Sequence, residues 1–313
     1  MEIQKIATRD AYGEALVELG KRNKNVVVLD ADLSDSTRSE KFQKEFPDRF
    51  FSMGIAEQNM IGTAAGLSVS GKIPYASTFA IFSERAIELV RNIISRNKLN
   101  VKIAGSHAGI STGEDGKSAQ AIEDISLYRS LPYITVIQPC DAVETKKAVF
   151  ALEKYNGPSY MRLLRNALPV IHDENYTFEI GKGELLRKGK DIAIFATGAL
   201  VHESLKACEL LEKEGITPYL ANIHTIKPLD RKLVLELAKK TDCVITAEDH
   251  NIIGGLGSAV AELLAEEYPC RMKRIGLNDQ YAESGKPSEL YEKYGLSSCS
   301  IAKEAKSMLK NKK

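Results

Sequence analysis

Short apolar runs that end in polar residues constrain this fold most: Asn25-VVVLDADL, Ile73-PYAST, Val101-KIAGS, Ile134-TVIQP and Ser159-YMRLL. Runs of this length without polar alternation suit strands buried on both faces, as in a parallel sheet. Between them the period becomes helical. Ala7 to Asn23 puts Ala11, Ala15, Leu16 and Leu19 on one face, and Ser83 to Arg96 turns Ala86, Leu89, Val90, Ile93 and Ile94 inward. Asp141 stands as an N-cap before the helical stretch AVETKKAVFALEKY. This alternation predicts an α/β fold with a mostly parallel sheet. It also puts polar residues at strand ends, where α/β proteins build their sites.

At 313 residues the chain has room for two domains, at about 150 residues each. The stretch ALPVIHDENYTFEIGKGELLRKGK is polar and weakly periodic, so it reads as a linker, with domains at 1–178 and 179–313. The second is a smaller α/β unit: strands in DIAIFATG, TPYLANIHT and CVITAEDH, and helices over Val201 to Gly215, LDRKLVLELAKKT and Gly257 to Glu267. The run Gly254-GLGSAV has a dinucleotide-like glycine spacing but ends in Val and lacks a clear acidic partner. It reads as close helix–strand packing, with His250 beside it structural or at a subunit contact rather than catalytic.

A net charge of +1 leaves no electrostatic footprint for nucleic acid, and no apolar run is long enough to span a membrane. The N-terminus MEIQKIATRD carries no leader-like apolar region. The cysteines at 140, 208, 243, 270 and 299 show neither paired nor metal-ligand spacing, so reduced thiols and a cytoplasmic location are expected.

Candidate chemistry gathers in the first domain. Glu57 heads the small, apolar stretch MGIAEQNMIGTAAG. Burying a carboxylate costs several kcal/mol unless a partner meets it. Either Glu57 faces water or something comes to it, and the small residues behind it suggest close packing. Asp30-ADLSDS follows one strand and Arg165 ends another. A long loop, HAGISTGEDGKSAQ, holds His107, Glu114 and Asp115 among glycines that let backbone approach a ligand. Phe79 and Phe82 are three apart, a spacing that suits two core aromatics as well as a ring-binding wall.

The ordered series GIAEQNM, STFAIFSERA and GSHAGISTGEDG, with IIGGLGSAVAELL near the end, resembles the transketolase family across essentially the whole chain. It is most similar to the C-terminal subunit of two-chain transketolases. The resemblance implies a pyrimidine-binding parallel-sheet domain followed by a smaller transketolase C-terminal domain, with thiamine diphosphate and Mg2+ as cofactors. It matches Glu57 to the carboxylate that bonds N1′ of the cofactor's aminopyrimidine, which is how a buried Glu acquires a partner. Phe79 and Phe82 match residues flanking that ring, Asp32 one beside the cofactor, and Arg85 a position that is aromatic in some members and basic in others. Arg9, Ser36, His107 and Arg165 match the set holding the sugar phosphate; two guanidiniums would repel without an anion to bridge them. Asp115 matches the Asp that reads a donor hydroxyl.

Two features depart from the family's one-chain pattern. The loop motif GEDGxxHQ here reads GEDGKSAQ, with Ala119 in place of an imidazole that would bind or shuttle protons. No GDG metal-binding motif is present, so the resemblance implies that the diphosphate and Mg2+ are held by an N-terminal partner subunit, in an α2β2 heterotetramer. Alternatives are a deoxyxylulose-phosphate synthase-like subunit, a 2-oxo acid dehydrogenase E1 β-like subunit, or a non-catalytic partner subunit.

Overall fold

The computed structural model describes residues 4 to 310. The chain forms two compact units. The first comprises the residues up to Ala108 together with Leu127–Ile180; the second comprises Gly109–Ser126 and the residues from Gly181 onward. Residues 109–126, which lie inside the first domain by sequence, thus pack with the second unit.

The first unit opens with β1 (Lys5–Ala7), then has β2 (Val26–Asp30), β3 (Phe50–Ser52), β4 (Ile73–Phe79), β5 (Lys102–Ser106), β6 (Thr135–Ile137), β7 (Ser159–Arg162) and β8 (Ala167–Pro169). β1 and β8 form an antiparallel pair. The other six lie in the order β6-β7-β5-β4-β2-β3, and every pairing among them is parallel. Strand β2 is buried along its whole length, as its unbroken VVVLD predicts. Neighbouring strands end together: Asp30 pairs with Ser52 and Ser77, Phe79 with Ser106, and Gly105 with Arg162. The order reverses between β2 and β4, the place where open α/β sheets bind ligands.

The helix Thr8–Arg22 buries Ala11, Tyr12, Ala15, Leu16 and Leu19. Tyr12, Ala15, Leu16 and Leu19 join Val28, Phe42, Ala148, Val149 and Leu152 in the core. Asp141 caps Ala142–Lys154 through Glu144 N at 2.8 Å. The same carboxylate accepts from Ile171 N, His172 N and His172 Nδ1 (2.8–2.9 Å), while Glu144 accepts from Cys140 N and the Tyr176 hydroxyl, both at 2.7 Å. Two buried carboxylates thereby pin the segment after β8. Burial pushes the Glu144 carboxyl up. At Asp141 burial pushes the same way, but the hydrogen bonds from His172 and Glu144 and the charge of His172 outweigh it, and the net shift is downward.

Two expectations are corrected. The helix expected over Ser83 to Arg96 is broken into short α, 3-10 and π segments from Ala80 to Ser95, and Leu89 and Ile93 are only half-buried. In the helix Glu57–Val69, a Cβ built on Gly62 or Gly66 meets nothing within 4 Å, so among the described residues nothing packs against those glycines.

The second unit contains β9 (Glu184–Arg187), β10 (Ala193–Ala196), β11 (Tyr219–Asn222), β12 (Thr225–Lys227), β13 (Cys243–Asn251) and β14 (Arg271–Leu277). Five of them form a sheet in the order β14-β13-β10-β11-β9, antiparallel only at β9. Phe195, Val234, Leu237, Val244, Leu256 and Val260 centre its core. The glycine run packs closely as expected: Leu256 N and Gly257 N donate to Glu248 at 2.7 Å, and a Cβ on Gly255 would lie 2.0 Å from that carboxylate. His250 is fully buried; its Nδ1 is 2.6 Å from Asn251 O, and Ser126 N donates to its Nε2 at 3.4 Å. Among the described residues no helix is long and apolar enough to cross a membrane.

Candidate active site

The site is built at the carboxyl ends of β2, β4, β5 and β7. Glu57, at the first helical position after β3, is 4% exposed. Arg85 meets it, with one guanidinium nitrogen 3.3 and 3.4 Å from its two carboxylate oxygens. The Arg85 side chain is about half exposed and lies over the Phe82 ring at 4.8 Å, while its carbonyl accepts from Gln58 Nε2 at 3.1 Å. Phe82 stacks on Phe79 at 5.6 Å, and Phe79 stacks on His107 at 3.8 Å. His107 Nε2 is 3.2 Å from Arg9, whose same guanidinium nitrogen donates to Ser36 O at 2.8 Å. Glu57, Arg85, Phe82, Phe79, His107 and Arg9 therefore form one continuous line, acidic at one end and basic at the other.

The basic end is rich in cations. His107 is held down to about 3 by burial first, then by the charges of Arg9, Arg165 and Arg38. Arg9 is lowered by burial and then by Arg38, with Arg165 adding to it. Its Nε is buried and meets no hydrogen-bond partner among the described residues. Arg38 is the residue that the sequence reading missed. It sits two places after Ser36, in a left-handed conformation at φ 67°, with its Nε 2.6 Å from Asp10. Arg9 lies against the neutral imidazole, the charges of Arg38 and Arg165 act on both, and Asp10 and Asp35 offset part of that charge through Arg38; the cationic excess suits an anion with several acceptor oxygens.

Not every candidate is placed as its motif suggests. Asp32 is exposed at φ 64° and caps no helix. The buried carboxylate of that turn is Asp30, which accepts from Leu33 N at 2.6 Å, Thr37 Oγ1 at 2.7 Å and Ser39 Oγ at 2.9 Å. Ser36 meets Arg9 through its backbone carbonyl. Arg165 is half-buried, whereas Arg162, three residues earlier, is fully buried at the end of β7. Asp115 belongs to the second unit, where it and Glu114 are exposed at the tip of a turn whose neighbours Gly113 and Gly116 are buried.

Two family patterns match the chain: the transketolase pyrimidine-binding domain over residues 4–170 and the transketolase C-terminal domain over 181–301. The chain belongs to the transketolase family. It is 50% identical over 299 residues to a protein named putative transketolase C-terminal section from Methanocaldococcus jannaschii, covering 94% of each chain. It is 40% identical to a 6-deoxy-6-sulfo-D-fructose transketolase subunit from Clostridium sp., covering 97% of this chain and 95% of the relative. A solved structure described as a split gene transketolase, inactive β4 tetramer, superposes with a TM-score of 0.92 at 50% identity, covering 98% of this chain and all of the other. The chain thus has the extent and domain order of a transketolase C-terminal section. The cofactor of this family is thiamine diphosphate.

Proposed function

We propose that this chain is the catalytic C-terminal subunit of a thiamine-diphosphate-dependent transketolase that moves a two-carbon ketol unit between sugar phosphates. The observation that carries the reading is the line from buried Glu57 through the two phenylalanines to the cationic end at His107 and Arg9. The residues fit the cofactor's aminopyrimidine. Glu57 is a buried carboxylate whose partner Arg85 is about half exposed, and the rings of Phe79 and Phe82 offer apolar faces. Thiamine diphosphate, when bound, supplies a nucleophilic thiazolium carbon and stabilises the negative charge that bond cleavage leaves.

The protein's own part is placement. Glu57 holds a proton at the pyrimidine's N1′, and Phe79 and Phe82 exclude water from the ring. Asp32 lies beside the cofactor and Arg85 borders it. Arg9, Ser36, His107 and Arg165, joined by Arg38, bind the phosphate, and Asp115 reads a hydroxyl of the donor. Mg2+ and the diphosphate are held by an N-terminal subunit in an α2β2 assembly in the cytoplasm, with domains of this chain at 1–178 and 179–313. The inactive β-only assembly of the structural relative agrees with this partner dependence.

The experiment is Glu57→Gln in the complex with the N-terminal subunit, assayed with xylulose 5-phosphate as donor. Turnover is expected to vanish with assembly intact; unchanged turnover rejects the reading. The Clostridium relative favours a second substrate class, a sulfonated sugar, because a guanidinium cluster accepts sulfonate as well as phosphate. Comparing kcat/KM for phosphorylated and sulfonated ketoses separates the two.

A further inference from the structure

The second unit contains a frame around the loop that carries Asp115. The turn Ile110–Asp115 starts after Gly109 at φ 75° and is kinked at Gly113, with φ 78° and ψ −116°. Asp249, fully buried in β13, spans its start. One carboxylate oxygen accepts from Ile110 N at 3.0 Å and the other from the Tyr291 hydroxyl at 2.9 Å. The fit is tight: a Cβ on Gly109 would stand 2.2 Å from Asp249 Oδ2. Gln120, 1% exposed, braces the far side by donating to Gly113 O at 3.3 Å and Glu283 O at 3.2 Å. Gly116 abuts Ser284, and Gly113 abuts Gly285 and Pro287. The backbone of the loop is thus laid on residues 283–291, and only the side chains at 114, 115, 117 and 118 stand out to solvent.

We propose that Asp249, with Tyr291 and Gln120, is a positioning residue for Asp115, and so gives the transketolase C-terminal domain a part in donor recognition. The proposal rests on the reading of Asp115 as a donor-hydroxyl ligand. A carboxylate so buried is expensive to keep and, once hydrogen-bonded on both oxygens, fixes its partners firmly. The exposed tip of the loop continues from backbone that this frame holds at Ile110 and Gly113, so a shift of the frame moves Asp115 with it. A misplacement of about 1 Å in a binding group costs up to about 100-fold in rate.

The test compares Asp249→Ala, Asp249→Asn, Tyr291→Phe and Asp115→Asn. In the chain alone, amide hydrogen exchange of Asp249→Ala is expected to quicken at least about 10-fold at residues 110–116 and to stay unchanged in β10 and β13, with Asp249→Asn close to the parent. In the complex, KM for xylulose 5-phosphate is expected to rise about 10-fold in Asp249→Ala, with KM for thiamine diphosphate unmoved. If Asp249→Ala does not fold, Tyr291→Phe, which keeps the volume, carries both measurements. Exchange that quickens throughout the second unit, or an equal rise in both KM values, overturns the proposal in favour of a merely structural role. A donor KM that moves with Asp115→Asn but not with the Asp249 or Tyr291 variants overturns the proposal alone. A donor KM indifferent to Asp115→Asn overturns the reading of Asp115 and the proposal with it.

Discussion

His107 should stay neutral far below the pH at which histidines ordinarily take up a proton. Its geometry demands this. Arginine can only donate, so the Nε2 lying 3.2 Å from Arg9 must accept with its lone pair, and Nδ1, 2.9 Å from Ser106 Oγ, carries the hydrogen. A proton on Nε2 would face a guanidinium N–H. Burial and the charges of Arg9, Arg165 and Arg38 hold the group down to about 3. At pH 5 a group at about 3 is only ~1% protonated, whereas one at the ordinary ~6.5 is ~97% protonated. The distinction is therefore readable where the protein remains folded. The stability consequence has a definite sign. Between pH 6.5 and about 3 the unfolded chain binds one proton more at this residue than the folded chain, so stability falls as pH falls, by ~1.4 kcal/mol per unit. The loss is complete only below about 3, and at pH 5 it amounts to ~2 kcal/mol. The assay is NMR of histidine-labelled chain, with His107→Gln to identify the resonance among the five histidines. Its ring signals should be flat from pH 8 to 5. Inorganic phosphate, by offsetting the guanidiniums, should move its titration upward. A His107 titrating near 6.5 without anion would refute both the tautomer and the cation cluster.

Arg9→Met should raise the KM for xylulose 5-phosphate by ~10- to 100-fold, the range expected for losing a hydrogen bond to a charged group at ~1.5–3 kcal/mol. Thiamine diphosphate affinity should not change; a fall in that affinity with no change in donor KM would move the anion site elsewhere. Asp230→Ala should destabilise the second unit by ~1–2 kcal/mol, because Asp230 caps Arg231–Thr241 through Leu233 N and also accepts from Gly183 N, both at 3.0 Å. Denaturant unfolding of the chain reads this, and an unchanged midpoint would show that water replaces the cap at no cost.

What the sequence made legible follows the strength of local physics. Unbroken apolar runs such as Val26–Asp30 have few alternatives to a doubly covered parallel strand, and they formed it. The Asp141 cap was legible for the same reason: its partner Glu144 N is three residues away. Ordered motifs singled out Glu57, Phe79, Phe82, His107 and Arg9 as candidates, and the fold brings these side chains into one line of contacts. What failed depends on contacts far apart in sequence. Composition alone could not show that Asp30, not Asp32, is the buried carboxylate of its turn, because that depends on Thr37 and Ser39 folding back onto it. Arg38 needed Asp10 to hold it near Arg9. The loop after Gly109 gave no sign that it would lie on residues 283–291, since Asp249 and Gln120 reach it across long stretches of chain. The glycines of Glu57–Val69 predicted close packing, yet among the described residues nothing lies against Gly62 or Gly66.

The central claim is that this chain supplies the pyrimidine side of a thiamine diphosphate site that a second subunit completes. Titration calorimetry of thiamine diphosphate with Mg2+ tests it most directly, first on this chain alone and then on its mixture with the N-terminal subunit. Heat of binding is expected only in the mixture, and is expected to vanish there in Glu57→Gln. Tight binding to the chain alone would contradict the shared site, and no binding in either case would mean that Glu57 awaits some other partner.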